Sequence, residues 1–425
     1  VTRVLFFNRP QSGGAITISG RFKHVFLDAK IRIAYESKRI LKTEQGVTME
    51  YRLFGKTGVS VSVLGFGMMR LPILNNDSGQ INKAEATRMV RSAIDQGVNY
   101  IDTAYGYHKG QSEIFTREVL GDGYREKVFL ATKMPTYLVK EETDFERFFQ
   151  EQKEKLGADR IDMYLLHTLN QERWDLINDL KVIDFLEKKR KAGEIRFFGF
   201  SFHDDYPAFE TIVNAYDWDF CQIQYNYMDT QVQAGLRGLQ LAHDKGMAVI
   251  VMEPIKGGKL ANPSPKIRSL LSEAQPDWSP AEWALRWVAD FPEVSLILSG
   301  MSTMAQAEEN VKIAKQMKAN AFTEKERAAI EKTVALFRSY RQIPCTECGY
   351  CQPCPEGVRI PDIFALYNEG MMFDAMASAI AEYRMFFSPD SKADRCVACG
   401  KCESLCPQKL PIIELLKQCE ESLNP

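Results

Sequence analysis

Residues 49–425 read as an α/β chain: a closed parallel (β/α)8 barrel followed by a small, mostly α-helical domain. Three observations lead there. Eight short apolar runs recur between amphipathic helical stretches over about 250 residues, the usual span of such a barrel. The runs are continuously apolar rather than alternating, as strands buried on both faces are. Eight of the ten cysteines fall in two tight clusters, at 345–354 and 396–406, which marks a separate metal-binding unit.

At the start of this region, MEYRLFGKTGVSVS, residues 49–62, predicts a hairpin turning at Thr57-Gly58. The apolar runs are 63–66, 98–102, 128–133, 161–167, 195–201, 220–224, 248–252 and 295–299. Between the first two, Asn82 is a helix cap with Glu85 three residues on, and Ala86, Met89, Val90, Ala93 and Ile94 repeat at helical spacing before Gly97 stops the helix. An open doubly wound sheet is the competing topology; the count of eight and the lack of GxGxxG after the first run disfavour it. The barrel is assigned to 49–323, a joining helix to 324–340 (EKERAAIEKTVALFRSY), and the cysteine-bearing domain to 341–425, with apolar helical stretches at 363–367 and 371–385.

Composition narrows the function classes. There are 54 Lys+Arg against 56 Asp+Glu, a net charge of −2. A nucleic-acid binder would normally carry a basic excess. No run of about 18 apolar residues offers a membrane span, so neither nucleic acid nor membrane is expected as a partner. Residues 1–344 contain one cysteine, Cys221, which points to a reducing compartment, a cytoplasm, and to inorganic ligation rather than disulfides. Residues 1–48 stand apart: nine Lys/Arg and three acids give about +6, and the longest apolar stretch, Val4–Phe7, is too short for a signal peptide. The expectation is a leader that is either disordered or not translated, with synthesis starting at Met49.

In a barrel of this kind, chemistry sits where the strands end. The second run ends in Asp102-Thr-Ala-Tyr-Gly-Tyr107, the third in Lys133, the fourth in His167, the fifth in Ser201-Phe-His203, and the sixth runs from Gln222 to Asn226. Taken singly, an aspartate there caps a turn, a lysine reaches solvent and a histidine is a satisfied core residue. With only five histidines in 425 residues, the four together read as a proton-transfer group. A tyrosine titrates near ~10 in water; an adjacent ammonium is expected to lower that, a carboxylate to hold the ammonium, and a neutral imidazole to orient a carbonyl. Such a set suits protonation of an oxygen as hydride reaches its carbon.

Residues 49 to about 320 resemble the aldo/keto reductases, NAD(P)-dependent oxidoreductases with the TIM-barrel fold, through IDTAYGYHKGQSE, FLATKMP, DRIDMYLLH, GFSFH, CQIQYN, EPIKGG and LSGMSTMAQAEENV. The resemblance implies Tyr107 as general acid, Lys133 as its modifier, Asp102 as the lysine's partner and His167 as the group orienting a small carbonyl or alcohol substrate. It implies that Ser201 and Gln222 hold the nicotinamide carboxamide. Met252, the loop holding Pro254, Lys256 and Gly257, and then Gly300, Ser302, Gln306, Glu309 and Asn310 would surround the rest of the dinucleotide. Three departures from the family stand out: Phe202-His203 follows the serine where asparagine is usual, Met252 replaces an aromatic, and Gly300 and Gln306 stand where basic residues grip a 2′-phosphate. NADH is therefore expected to serve at least as well as NADPH, with Lys256 and Lys259 the nearest alternative cations. The loops at 68–76 and 168–179 are the candidates for shaping the substrate pocket, and Tyr137 and Trp174 either line it or pack in loops.

The second cysteine cluster, Cys396-x2-Cys399-x2-Cys402-x3-Cys406-Pro407, is the bacterial ferredoxin run. The first, Cys345-x2-Cys348-x2-Cys351-x2-Cys354-Pro355, is one residue shorter. In that pattern three cysteines wrap one cluster and the distal fourth serves the other. The expected grouping is crossed: Cys345, Cys348, Cys351 and Cys406 on one [4Fe-4S], and Cys396, Cys399, Cys402 and Cys354 on the other. Two zinc sites are the alternative. The whole of 49–425 thus resembles an aldo/keto reductase with an appended 4Fe-4S, ferredoxin-type domain. Three uses of the clusters stay open: electron transfer with a redox partner protein beside a working carbonyl reductase, electron transfer from a barrel that binds a ligand without turnover, or a purely structural staple.

Overall fold

The computed structural model describes residues 48–425; the expected leader falls on residues outside that range apart from Thr48. The chain first forms an antiparallel hairpin, β1 (Tyr51–Leu53) with β2 (Ser60–Ser62). Its turn runs through Gly58 at φ 75, a left-handed conformation that glycine adopts without a Cβ clash. Phe54, fully buried, leaves the hairpin to pack on Phe220 and Tyr100, with ring centroids 5.2 and 6.2 Å away. Both rings belong to barrel strands, so the hairpin plugs one end of the barrel.

Strands β3 (Leu64–Gly67), β6 (Tyr100–Asp102), β7 (Phe129–Met134), β8 (Ile161–Leu169), β9 (Ile195–Phe202), β10 (Phe220–Gln224), β11 (Ala248–Met252) and β12 (Val294–Gly300) close a parallel barrel. Each matches one of the eight apolar runs to within three residues. The first helix, Lys83–Asp95, is capped as its sequence predicts, Asn82 Oδ1 accepting from Glu85 N at 3.3 Å. An unpredicted hairpin, β4 (Ile73–Leu74) with β5 (Asp77–Ile81), occupies the loop after β3. Its alternating exposed and half-buried residues lack the apolar run that identifies the barrel strands.

Two side-chain layers hold the barrel. Tyr100, Ala131, Met163, Leu165, Ile250 and Leu296 fill the interior, while larger residues on the outward faces pack beneath the helices. Gly199 sits at the tightest inner contact, where an added Cβ would lie 2.1 Å from the Phe220 carbonyl oxygen.

The helix Glu324–Ser339 leaves the barrel behind a capping box formed by Thr323 and Glu326. Its Phe337 meets Phe373 at 4.8 Å between ring centroids, inside an apolar cluster that also contains Leu260, Ile267 and Trp283 of the barrel layer. Beyond it, helices Ile360–Met372, Met376–Phe386 and Ile412–Leu423 share a separate core with the cysteine loops. The apolar stretch expected over 371–385 is broken, because Asp374 turns at φ 52 between two helices. Among the described residues no helix is long and apolar enough to cross a membrane.

The Gly199 contact is testable. Gly199→Ala drives a methyl group into backbone rather than into a yielding side chain and should cost about 3 kcal/mol or more, the upper part of the overpacking range. A chemical denaturation midpoint equal to that of the parent chain would show that the strands can part there without cost.

Candidate active site and metal centres

Asp102 ends β6 and Lys133 lies near the end of β7, neighbouring strands paired with Asp102 opposite Ala131. Lys133 Nζ donates to Asp102 Oδ1 at 2.5 Å and to the Thr103 carbonyl at 2.8 Å, and both side chains are essentially sealed from solvent. The third direction of the ammonium faces Tyr107, whose hydroxyl lies 3.4 Å away. Burial works against a charge on Lys133, but Asp102 and Tyr107 together outweigh it and hold the ammonium above its ordinary value.

Tyr107 stands on a turn that the sequence alone did not make legible. His108, Lys109 and Gly110 all have positive φ, a costly run for two residues with Cβ atoms. The unpredicted hairpin pins it from outside: the His108 ring nitrogen Nδ1 meets the Ser78 carbonyl at 2.7 Å, and Lys109 Nζ donates to Asp77 at 2.8 Å. Desolvation raises the Tyr107 hydroxyl above its usual value, with Lys133 pulling against it. The expected net lowering is corrected here, since loss of water around the phenol outweighs the single nearby charge. In this state Tyr107 keeps its proton.

His167, near the end of β8, faces Tyr107 edge-on with centroids 5.8 Å apart. Burial, then Lys133, drives its pKa well below the ordinary value, so the ring is neutral. Its Nδ1 is buried without a hydrogen-bond partner. Tyr137 lies 6.0 Å from the His167 ring with much of its surface exposed, at the mouth. Trp174 does not line it: the indole is buried against Trp218, 5.9 Å between centroids.

The residues expected to hold a dinucleotide fall into three groups. Ser201 and Gln222 are register partners across β9 and β10. Ser201 Oγ accepts from Thr168 N at 2.7 Å, Gln222 Nε2 lies 3.4 Å from Met252 Sδ, and Gln222 Oε1 is buried with no partner. An orphaned acceptor beside a serine hydroxyl is what a carboxamide NH2 requires, so this donor–acceptor set fits a nicotinamide. At the opposite end, Ser302 N donates to Gln306 Oε1 and Ser302 Oγ to the Arg70 carbonyl, at 2.8 and 2.7 Å. Asn310 is tied to Ser299 beneath them, whereas Glu309 accepts from Ser279.

The third group, on the loop after β11, is drawn elsewhere. Lys256 pairs with Asp229 at 2.8 Å and with Glu369 at 3.2 Å. Lys259 pairs with the same Glu369 oxygen at 3.1 Å and with Glu382 at 3.2 Å. Both glutamates belong to the C-terminal helices. Pro254 is buried and Gly257 turns at φ 62. Arg70 is the residue that motifs alone do not reveal. Its side chain lies across Gly300, where an added Cβ would be 3.0 Å from Arg70 Cγ, and its Nη2 comes 3.8 Å from a Cβ placed on Gly257. It follows β3, in a loop where no motif marks it.

The clustered cysteines are all free thiols. Cys345, Cys348, Cys351 and Cys406 line one pocket, walled by Ile360 and Phe364. Cys354, Cys396, Cys399 and Cys402 line another, which Cys351 also borders. Among the described residues no three or more His, Cys, Asp or Glu converge so as to hold a single ion. Thiols gathered around apolar-walled cavities fit a multi-iron cluster.

Comparison with known proteins agrees with this geometry. The family model for the aldo/keto reductase family matches residues 63–334, and a 4Fe-4S dicluster domain matches residues 344–410. An uncharacterized oxidoreductase of Bacillus subtilis, YqkF, is 25% identical over 321 residues, covering 67% of this chain and 96% of that one. L-galactose dehydrogenase of Arabidopsis thaliana is 27% identical over 307 residues, 62% and 87% of the two chains. Among solved structures, the holo form of the aldo-keto reductase AKR11C1 from Bacillus halodurans superposes with a TM-score of 0.56 at 25% identity, over 67% of this chain and 96% of that one. With the barrel, its matched family and its oxidoreductase relatives in agreement, the chain belongs to the aldo/keto reductase family and is an oxidoreductase with a 4Fe-4S domain joined to its barrel.

Proposed function

We propose that the chain is an NAD(P)H-dependent carbonyl reductase, or the alcohol dehydrogenase of the reverse reaction, carrying two [4Fe-4S] clusters in an electron-transfer module. One observation supports this most directly: a buried ammonium held by Asp102 and Thr103 has its remaining direction on the Tyr107 hydroxyl, with neutral His167 across the ring. A bound nicotinamide supplies or takes up hydride at the substrate carbon. The protein's own groups handle the oxygen.

His167, neutral, donates a hydrogen bond to the carbonyl oxygen and aims it at Tyr107. Tyr107, still protonated, gives its proton as negative charge grows on that oxygen, and Lys133 stabilises the tyrosinate left behind. Asp102 keeps Lys133 charged and fixed. In the reverse direction the tyrosinate accepts the alcohol proton. Ser201 and Gln222 take the carboxamide, Met252 packs beside the ring, and Pro254 and Gly257 shape the adjoining turn. Ser302 and Gln306, at the start of the helix Met304–Ala314, offer a positive helix end to phosphate. Arg70, lying between Gly300 and Gly257, adds one exposed cation beside the dinucleotide groove. Glu309 and Asn310 frame the far end. Lys256 and Lys259 are already neutralised by Glu369 and Glu382, which supports NADH being used at least as well as NADPH.

Bound clusters pass single electrons. Cys345, Cys348, Cys351 and Cys406 would hold one and Cys396, Cys399, Cys402 and Cys354 the other, with a redox partner protein as the external donor or acceptor. The reading places the enzyme in the cytoplasm.

Tyr107→Phe should reduce NADH-dependent carbonyl reduction by about 10²–10⁴-fold, the usual contribution of a positioned general acid, while the iron–sulfur absorbance stays intact. If the parent protein with full iron content oxidises no reduced nicotinamide against any carbonyl, the tetrad is not in use. Anaerobically purified protein should contain about eight iron and eight sulfide per chain, and Cys406→Ala about four of each; about two zinc ions instead would overturn the cluster assignment. The kcat/KM with NADH should equal or exceed that with NADPH, and a tenfold advantage for NADPH would reverse the cofactor reading.

A further inference from the structure

The rim beside His167 carries a cation whose role is not explained by the tetrad. Arg173 lies in the first turn of the helix Gln171–Asp179, which is capped by Asn170 Oδ1 accepting from Arg173 N at 2.8 Å. One nitrogen of its guanidinium, Nη1, donates to the Thr168 carbonyl at 2.6 Å and to Thr168 Oγ1 at 2.9 Å. Thr168 directly follows His167, turns at φ 54, and donates its N–H to Ser201 Oγ. Arg173 is thereby fastened to the residue next to the carbonyl-orienting histidine.

The other two guanidinium nitrogens, Nε and Nη2, have no partner among the described residues. Asp204, which accepts from Gln171 N at 2.9 Å at the start of the same helix, makes no ion pair with Arg173. The contrast with the loop after β11 is sharp, since Lys256 and Lys259 there have two carboxylates each. A half-buried guanidinium has lost part of its hydration and regains it best from a planar oxyanion bound by two N–H groups. Its charge is felt at His167 and at Tyr137, which flank the mouth 6.0 Å apart. Because Nη1 is tied to Thr168, the residue after His167, an anion bound on the free edge of Arg173 lies close to that mouth.

We propose that Arg173 anchors an anionic group of the substrate, so that the enzyme acts on carbonyl compounds bearing a carboxylate or phosphate near the reacting carbon. This rests on the carbonyl reductase reading and assigns its substrate class. The anchor leaves the proton and hydride steps unchanged: it fixes the far end of the molecule while His167 and Tyr107 engage the carbonyl oxygen, which confines the substrate to one orientation.

The test uses anaerobically purified holoenzyme and a series of ω-oxo acids of increasing length, each beside its methyl ester, with glyceraldehyde 3-phosphate beside glyceraldehyde. Binding is measured calorimetrically with oxidised nicotinamide present, so that no turnover occurs, and kcat and KM are measured separately with NADH. At least one acid is expected to bind about 10- to 100-fold more tightly than its ester, the usual worth of hydrogen bonds to a charged group. The difference should appear in KM more than in kcat. Arg173→Gln should bring the acid-to-ester ratio close to one, and Arg173→Lys, which keeps the charge but not the fork, should retain part of it. A substitution that merely damaged the Thr168 turn would weaken acid and ester alike and leave the ratio standing, which overturns the proposal. Equal binding of acids and esters by the parent enzyme also overturns it, as does failure of every anionic probe to bind. If acids bind selectively but no carbonyl is reduced, the anion site stands and the reductase reading falls. Preference for the phosphorylated aldehyde over the oxo acids would identify the group as phosphate.

Discussion

The Lys133–Asp102 pair is the constraint on which the site depends. Two charges taken from water to within 2.5 Å of each other inside a barrel are a poor way to stabilise a fold; well-packed apolar side chains of the same volume would often do as well or better. What the pair achieves is placement. Asp102 and the Thr103 carbonyl fix two of the three ammonium directions, and the third reaches Tyr107. Closure of the barrel is what makes this possible, because β6 and β7 must run side by side in one register for the two groups to meet. A one-residue slip would turn Lys133 to the outer face, where its charge would do nothing for the phenol.

A second set of charges connects the barrel to the cysteine-bearing domain. One carboxylate oxygen of Glu369 is shared by Lys256 and Lys259, both on the loop beside Gly257, and Phe337 and Phe373 close an apolar seam nearby. The appended domain is thus fastened to the loop expected to border the dinucleotide, rather than to a distant helix. In a half-buried setting these ion pairs are worth more than exposed ones. They also use up lysine charge that a free barrel would offer to a phosphate. The C-terminal domain shapes the electrostatics of the site as well as carrying cysteines.

The sequence revealed those features that rest on short-range patterning. Eight apolar runs marked eight strands because burial on both faces leaves no room for polar alternation, and Asn82 marked a helix start because its side chain is needed there. The tetrad was legible for the same reason, since strand ends in a closed barrel project to one mouth. Features depending on contacts far apart in the chain were hidden. The hairpin at 73–81 that braces Tyr107 is mostly polar, so no run announces it. Arg70 acquires its position from Gly300, more than two hundred residues away, and the direction of the Tyr107 shift depends on how much water the fold removes. Trp174 could not be placed until Trp218 was seen to cover it.

Each rim of the mouth keeps one arginine without a carboxylate partner, and the proposed function gives the two different anions. On the side of the loop after β11 every lysine in reach is paired with carboxylates, leaving Arg70 as the exposed cation beside Gly300. On the side of β8, Arg173 holds two nitrogens in reserve next to His167. Under the proposed function, a dinucleotide laid along the first rim would bring its phosphates towards Arg70 and its nicotinamide to Gln222. A substrate of the proposed kind would meet Arg173 on the second. On that proposal, an anionic substrate and the dinucleotide would share one mouth without competing for the same cation, each drawn to its own side of the tyrosine.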